Sequence, residues 1–331
     1  MEPLPLVLLT GFLGAGKTSC LNAALRAGDA TGIVALVNEF GAVDVDGMLL
    51  PAANRADGLV ELTNGCICCS IQGDLLAALE EVVRLRAAAP DRARLAVLET
   101  TGLADPGAIL STVARAASLR GRVGVVRVVT VCDAPALAQQ RAQFAVAERQ
   151  IGVADAILLN KTGSMPAEAL IALADALARS NPLADIRMVA PMSLDPALLL
   201  GPWPAGSARW SPTLPSVFAG RREAAPRRAE PVAESFIVRP QAPLNADRLR
   251  DVLSFLVLRH AERLLRCKGV IRIAGEAHPV LLQGVRDVLR TGRAPEGAAL
   301  AEGEHGALVF IGLGLPEAAI RADLTRCEVR P

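Results

Sequence analysis

Leu4-Pro5-Leu6-Val7-Leu8-Leu9-Thr10-Gly11-Phe12-Leu13-Gly14-Ala15-Gly16-Lys17-Thr18 passes from an apolar run into a glycine-rich loop. The run predicts a buried strand, and the pattern that resumes at Lys17 predicts a helix. Between them stands Gly-x-x-x-x-Gly-Lys-Thr, the phosphate-binding loop in its expected setting. Gly11, Gly14 and Gly16 let the backbone turn its N–H groups inward, toward phosphate oxygens. Lys17 can then reach the β- and γ-phosphates, and the Thr18 hydroxyl can ligate Mg²⁺. Ala15 and Ser19 complete the residues expected at the nucleotide, beside the positive end of the helix dipole. The competing reading is a glycine-rich turn that matches by accident. Full pattern and strand–helix context favour a nucleoside-triphosphate site.

Composition sets the frame. The chain has 331 residues, 52% hydrophobic and 21% charged, enough for one large and one smaller packed domain. Its 35 basic and 34 acidic side chains leave a net charge of +1, which argues against nucleic acid or an anionic membrane as partner. The apolar start lacks a basic n-region, carries Glu2 and runs into the phosphate loop, so it does not read as a signal peptide. Other apolar runs are short, as at Val126-Arg127-Val128, and predict no membrane span. A cytoplasmic location is expected. Of seven cysteines, three crowd into residues 66–69. That is no disulfide framework, and clustered thiols point to metal or redox chemistry.

Strand-like runs at Leu4–Thr10, Ile33–Asn38, Leu95–Leu98, Val123–Cys132, Ala156–Leu159 and Ile186–Ala190 alternate with helical patterns. Those patterns are Lys17–Ala27, Ile71–Ala88, Pro106–Ser118, Pro135–Gln150 and Pro166–Arg179. Such alternation predicts an α/β fold, a mainly parallel sheet with helices on both faces and ligands at the strands' carboxyl ends. This phosphate-loop domain is placed at residues 1–202. A Pro-, Gly-, Ser- and Arg-rich linker is placed at 203–231 and a smaller α+β domain at 232–331. In the latter, strands are expected at Ser235–Arg239, Leu264–Ile273, Val280–Val285 and Ala307–Gly312, with helices at Ala246–Leu258 and Pro316–Thr325.

Glu99-Thr100-Thr101-Gly102 follows a buried strand. Glu99 there suits Mg²⁺, directly or through water, and Gly102 can offer its N–H to the γ-phosphate. The plain alternative is an ordinary helix N-cap. Asn160-Lys161 closes another strand, where GTP-binding proteins carry Asn-Lys-x-Asp. Asn bonds the base, the Lys stem covers its face, and Asp accepts from guanine. Here the fourth position is Gly163. Losing that carboxylate removes a charge-assisted bond of about 1.5–3 kcal/mol. Guanine is still favoured over adenine, with an unspecific turn as the alternative.

Gly65-Cys66-Ile67-Cys68-Cys69-Ser70 is the second informative stretch. Thiolates suit Zn²⁺ and similar soft ions. On a straight strand Cys69 would face away from Cys66 and Cys68, so a turn must gather them, and Asn64-Gly65 supplies turn chemistry. Three thiolates leave a tetrahedral ion one ligand short, which suits a site that gives its ion away. Redox thiols or buried cysteines are the alternatives. Glu39, after the second strand, is a candidate auxiliary ligand. Cys20, Cys132, Cys267 and Cys327 are isolated and read as buried packing residues.

Together, Gly-Phe-Leu-Gly-Ala-Gly-Lys-Thr, Asn-Glu-Phe-Gly, Asn-Gly-Cys-Ile-Cys-Cys, Glu-Thr-Thr-Gly-Leu-Ala-Asp-Pro and Asn-Lys resemble, in order, the CobW-type metallochaperone GTPases. Arg239-Pro240, Arg266-Cys267-Lys268-Gly269 and the stretch Leu308–Gly312 resemble that family's smaller domain. The resemblance implies a GTPase of slow basal rate that loads or releases a transition metal, Zn²⁺ or Co²⁺, for a client metalloprotein. A metal- or nucleotide-dependent homodimer is a further expectation. Gly14 through Thr18 would take triphosphate and Mg²⁺, Glu99 and Gly102 the Walker B and γ-phosphate roles. Asn160 and Lys161 would take the base, and Cys66, Cys68 and Cys69 the metal. Gly163 departs from the pattern, as does Ala42 where many relatives have a second Glu, and no His-rich stretch occurs. Two rivals use the same loop: a small-molecule kinase with a structural zinc, and a metal-sensing regulatory NTPase.

Overall fold

The computed structural model describes residues 3–27, 30–37, 59–61, 70–189, 194–201, 232–294, 300–301 and 303–329. They form two compact units. One comprises Met1–Gln150, Ala154–Ala174 and Ala184–Ala208; the other comprises Ile151–Val153, Asp175–Leu183 and Arg209–Pro331. The expected linker at 203–231 lies outside the described residues.

The first unit carries β1 (Leu4–Thr10), α1 (Lys17–Ala27), β2 (Ile33–Val37), β3 (Leu59–Glu61), α2 (Ser70–Ala88), β4 (Leu95–Glu99) and α3 (Pro106–Arg115). It continues with β5 (Val123–Asp133), α4 (Ala134–Gln143), α5 (Ala145–Val153), β6 (Ala156–Asn160), α6 (Ala167–Ser180), β7 (Asp185–Met188) and the short α7 (Ala197–Leu200), the last residues of α5 and α6 being counted with the second unit. The strands pair in the order β3-β2-β4-β1-β5-β6-β7, all in parallel. β1 is central, and Leu4, Leu6, Val7, Leu8 and Leu9 are each at most 1% exposed. Side chains on both faces of a strand are buried only when both faces of the sheet are covered. Each such leucine stabilises the fold by about 1.5–3 kcal/mol. One face packs Val7, Leu9, Val97, Val129 and Leu158 against Leu21, Ala24 and Leu25 of α1.

Register then decides the site. Leu9 pairs with Glu99, Thr10 with Thr130 and Asp133 with Asn160. β1 and β4 therefore end together, and β5 and β6 run about three residues further before ending together, all at the carboxyl edge where the phosphate loop leaves β1. The reading of one helix over Pro135–Gln150 is corrected. The chain breaks at Phe144, which is extended at φ −133° and ψ 111° and closes α4. Its ring lies 4.9 Å from that of Phe12, so an aromatic contact with the phosphate loop replaces a continuous helix.

The second unit holds β8 (Ala233–Val238), α8 (Ala246–His260), β9 (Leu264–Ile271), β10 (Val280–Val285), β11 (Val288–Arg293), β12 (Gly306–Leu313) and α9 (Glu317–Arg326). Its sheet is antiparallel, ordered β11-β10-β9-β12-β8. Asn245 caps α8 by accepting from Arg248 N at 3.0 Å, one of the orphan donors of a helix start. Leu249, Leu253 and Leu256 of α8 join Ile320 and Leu324 of α9 over Phe236 and Phe310. β11 escaped the sequence reading. It is an edge strand whose last four residues are exposed, so no apolar alternation marks it.

Candidate nucleotide site

The loop leaving β1 has the backbone the motif requires. Gly11, Gly14 and Gly16 take φ of 141°, 70° and 94°. At Gly16 a second constraint applies, because a Cβ would stand 2.4 Å from Asn160 Nδ2. That amide donates to Ala15 O at 3.0 Å. The end of β6 is thereby tied to the floor of the phosphate loop. The Lys17 ammonium donates to Gly11 O at 3.1 Å and Phe12 O at 3.3 Å, folded back over its own loop. α1 begins with Cys20 N donating to Gly16 O at 2.9 Å. The amides before Cys20, Ser19 among them, precede the first intrahelical bond and favour an anion with the helix dipole.

Thr18 Oγ1 donates to Glu99 Oε1 at 2.6 Å, and Glu99 is 4% exposed. Sequence placed these residues 81 positions apart in one Mg²⁺ role; the sheet brings them into contact. A hydroxyl and a carboxylate side by side are hard oxygen donors, the kind Mg²⁺ takes alongside phosphate oxygens. Thr18 and Glu99 are thus the residues that would hold Mg²⁺, whose part is to neutralise phosphate charge. Cys20, two residues along from Thr18, is buried. Burial, and secondarily the Glu99 charge, push its thiol up to about 11.

The segment after β4 sits on the loop. Thr100 N donates to Leu9 O at 2.9 Å and Thr100 Oγ1 to Thr10 Oγ1 at 2.9 Å. Gly102 is buried, and a Cβ there would meet Leu13 N at 2.5 Å. Only glycine lets the turn approach the phosphate loop so closely.

At the base end, Asn160 Oδ1 accepts from Lys161 N at 2.8 Å while Lys161 takes the left-handed φ of 60°. Lys161 Nζ pairs with Asp133 Oδ2 at 2.8 Å. Asp133 also accepts from Ala136 N at 3.4 Å at the start of α4. The sequence reading missed Asp133; its signal was an acid closing an apolar strand before Ala-Pro. No heavy atom lies within 4 Å of the place a Gly163 Cβ would occupy.

Cys66, Cys68, Cys69 and Glu39, the expected metal residues, lie outside the described residues. Among the described residues, no group of three or more His, Cys, Asp or Glu could hold a metal ion. Cys20, Cys132, Cys267 and Cys327 are buried, as expected of packing residues. Burial pushes the Cys132 thiol up to about 12 and raises that of Cys267 further.

A parallel sheet that gathers a phosphate loop, a strand-end carboxylate and a strand-end Asn–Lys pair at one edge defines a phosphate-loop nucleotide-binding protein. The family model for the CobW/HypB/UreG nucleotide-binding domain matches residues 5–187, and that for the cobalamin synthesis protein CobW C-terminal domain matches residues 233–328. The chain belongs to the CobW family. It is 35% identical over 323 residues to the zinc chaperone YjiA of Escherichia coli (strain K12), covering 97% of this chain and 98% of that one. To the zinc chaperone CobW of Sinorhizobium sp it is 30% identical over 353 residues, with 97% and 96% covered. The crystal structure of Zn(II)-bound YjiA GTPase from E. coli resembles it with a TM-score of 0.69 at 29% identity, covering 99% of this chain and 100% of that one.

Proposed function

We propose that this protein is a GTP-dependent zinc chaperone: it binds Zn²⁺ through Cys66, Cys68 and Cys69 and couples its nucleotide state to delivery of the ion to a client metalloprotein. The chain is a phosphate-loop GTPase of the CobW family. The observation that carries the reading is the Thr18–Glu99 contact at 2.6 Å beside a phosphate loop tied to Asn160, in a chain similar throughout its length to zinc chaperones. Lys17 holds the β- and γ-phosphates, and Glu99 with Thr18 holds Mg²⁺. Gly102 reports the γ-phosphate through its N–H. Asn160 and Lys161 receive the base, Lys161 held by Asp133.

The cysteine motif lies in sequence between β3 and α2; β3 pairs with β2, and β2 in turn with β4. Loops at these strand ends are the ones that γ-phosphate and Mg²⁺ order in nucleotide switches. In this scheme the triphosphate state gathers the thiolates around Zn²⁺, and hydrolysis opens them. Glu39 is an auxiliary ligand, and the client docks to one nucleotide state. Reduced clustered thiols suit a cytoplasmic setting. Among the described residues, no helix is long and apolar enough to cross a membrane.

The test is metal analysis of protein purified anaerobically, with GTP hydrolysis measured on the same samples. Wild type should carry about one Zn²⁺ and turn over GTP slowly. The Cys66→Ser, Cys68→Ser, Cys69→Ser triple variant should lose the zinc and keep nucleotide binding, and Lys17→Ala should lose hydrolysis. Zinc retained by the triple variant would remove the cysteines from the mechanism.

A further inference from the structure

Gly102 presents a problem that its own chemistry cannot solve. It must be glycine to lie against Leu13, yet glycine has the widest backbone freedom of any residue. An N–H meant for the γ-phosphate needs the peptides on both sides of the glycine fixed. The Thr101–Gly102 peptide that carries it is tied within the turn, Thr101 O accepting from Ala104 N at 3.1 Å, but the Gly102–Leu103 peptide is not tied there. Something outside the turn has to supply that fixity.

α5 supplies it. Gln150 is 1% exposed, and its Nε2 lies 3.2 Å from Gly102 O and 3.2 Å from Ala104 O. A primary amide has two diverging N–H donors, so one side chain can hold two carbonyls of the turn at a set spacing. Gln150 is itself anchored, since its backbone carbonyl accepts from Thr130 Oγ1 of β5 at 2.8 Å. One residue earlier, Arg149 pairs with Asp105 at 3.5 Å, the residue that caps α3. Immediately before α5, the Phe144 ring rests against Phe12 of the phosphate loop. Arg141 of α4 grips Glu148 of α5 through two bonds of 2.8 Å and 3.2 Å, which keeps this elbow closed. The segment Phe144–Gln150 therefore touches the phosphate loop at its start and the turn after β4 at its close.

We infer that Gln150 is a positioning residue for GTP hydrolysis: it clamps the Gly102–Ala104 turn against the phosphate loop so that the turn meets the γ-phosphate in one orientation. This rests on the GTPase reading above. A filler residue in the core would need no donors, and the position could be apolar. Here both carbonyl partners belong to the turn, 46 and 48 residues away in the chain. The clamp acts on triphosphate and leaves diphosphate binding alone, because GDP has no γ-phosphate to orient.

The experiment compares wild type, Gln150→Ala and Gln150→Glu. It measures kcat and KM for GTP, Kd for GDP and for a non-hydrolysable GTP analogue, and thermal stability. Gln150→Ala should lower kcat roughly tenfold to hundredfold, the cost of a mispositioned reacting group. GDP affinity should hold, and the preference for the analogue over GDP should shrink. In Gln150→Glu a carboxylate would face two carbonyl oxygens, so burial and those dipoles would raise its pKa. Its kcat should climb toward wild type from about pH 8 to about pH 6 as the acid gains a proton to donate. Wild type should show no such climb.

An unchanged kcat in Gln150→Ala overturns the clamp. So does a loss matched by equal losses in GDP affinity and stability, or a Gln150→Glu profile parallel to wild type. If Gln150→Ala does not fold, the Gln150→Glu profile decides. If wild type itself does not hydrolyse GTP, the GTPase reading falls; the analogue-to-GDP preference then still judges the clamp, which fails if the variants keep it.

Discussion

Gly163→Asp should increase the protein's preference for guanine. Gly163 stands where a base-reading carboxylate would follow Asn160 and Lys161, and the structure leaves that place open. No heavy atom comes within 4 Å of the added Cβ, and Gly163 is absent from the positive-φ glycines. The substitution therefore carries neither clash nor backbone strain, and its folding cost should stay within about 0.5 kcal/mol, as for ordinary surface changes. The gain is the bond between a carboxylate and the guanine N1 and N2 donors. Charge-assisted bonds contribute about 1.5–3 kcal/mol, which corresponds to roughly tenfold to hundredfold in affinity. Inosine triphosphate keeps N1–H and lacks the exocyclic amine, so it is the control that isolates the N2 part of this contact. Displacement of a fluorescent GDP analogue by GTP and by ITP gives the ratio directly. Wild type should separate the two weakly, and Gly163→Asp should widen the ratio by about tenfold or more. An unchanged ratio, with stability intact, would show that the base does not lie over residues 160–163, and the assignment of Asn160 and Lys161 would fall with it.

Other consequences can be checked separately. Gly16→Ala would force a left-handed φ on alanine and drive Asn160 off Ala15 O; strain of about 1–2 kcal/mol and an orphaned buried amide of about 1–3 kcal/mol should weaken nucleotide binding by at least tenfold in titration calorimetry. Arg141→Ala should destabilise by about 1.5–3 kcal/mol, read from urea unfolding, because the buried Glu148 carboxylate loses its two bonds to the guanidinium. Cys20 and Cys132 stay protonated when folded, with pKa values of about 11 and about 12 against a reference of 9.0. The unfolded chain then loses these protons first, so their contribution is complete below pH 9.0 and is lost as pH climbs through about 11 and about 12. Urea midpoints should drop on the alkaline side, and Cys132→Ala should flatten that drop. The same two thiols should resist maleimide in native protein at neutral pH, since the thiolate is the nucleophile.

The phosphate loop and the strands around it were legible because each is written locally. Leu4–Thr10 is apolar without interruption, as a strand covered on both faces must be, and Lys17–Ala27 has the helical period. Pairing Thr18 with Glu99 was legible only through their shared chemistry, since nothing local links residues 81 positions apart. Asp133 and Gln150 were not legible. A glutamine on an amphipathic helix looks the same whether it faces water or two carbonyls; only the packing of α5 decides. Phe144 misled for a related reason, because its place in an apparent helical period hid a contact with Phe12 across the fold. β11 was missed because an exposed edge strand has no buried face to leave a pattern. Cys66, Cys68 and Cys69 were read from their chemistry and spacing alone.

Affinity for Zn²⁺, measured by chelator competition on one preparation loaded either with GDP or with a non-hydrolysable GTP analogue, bears most directly on the coupling of the two ligands. The scheme requires the triphosphate form to bind zinc at least about fivefold more tightly, the low end of ordinary coupling energies. Equal affinities in the two forms would mean that nucleotide and ion do not influence each other, and a GTP-driven delivery cycle could not operate.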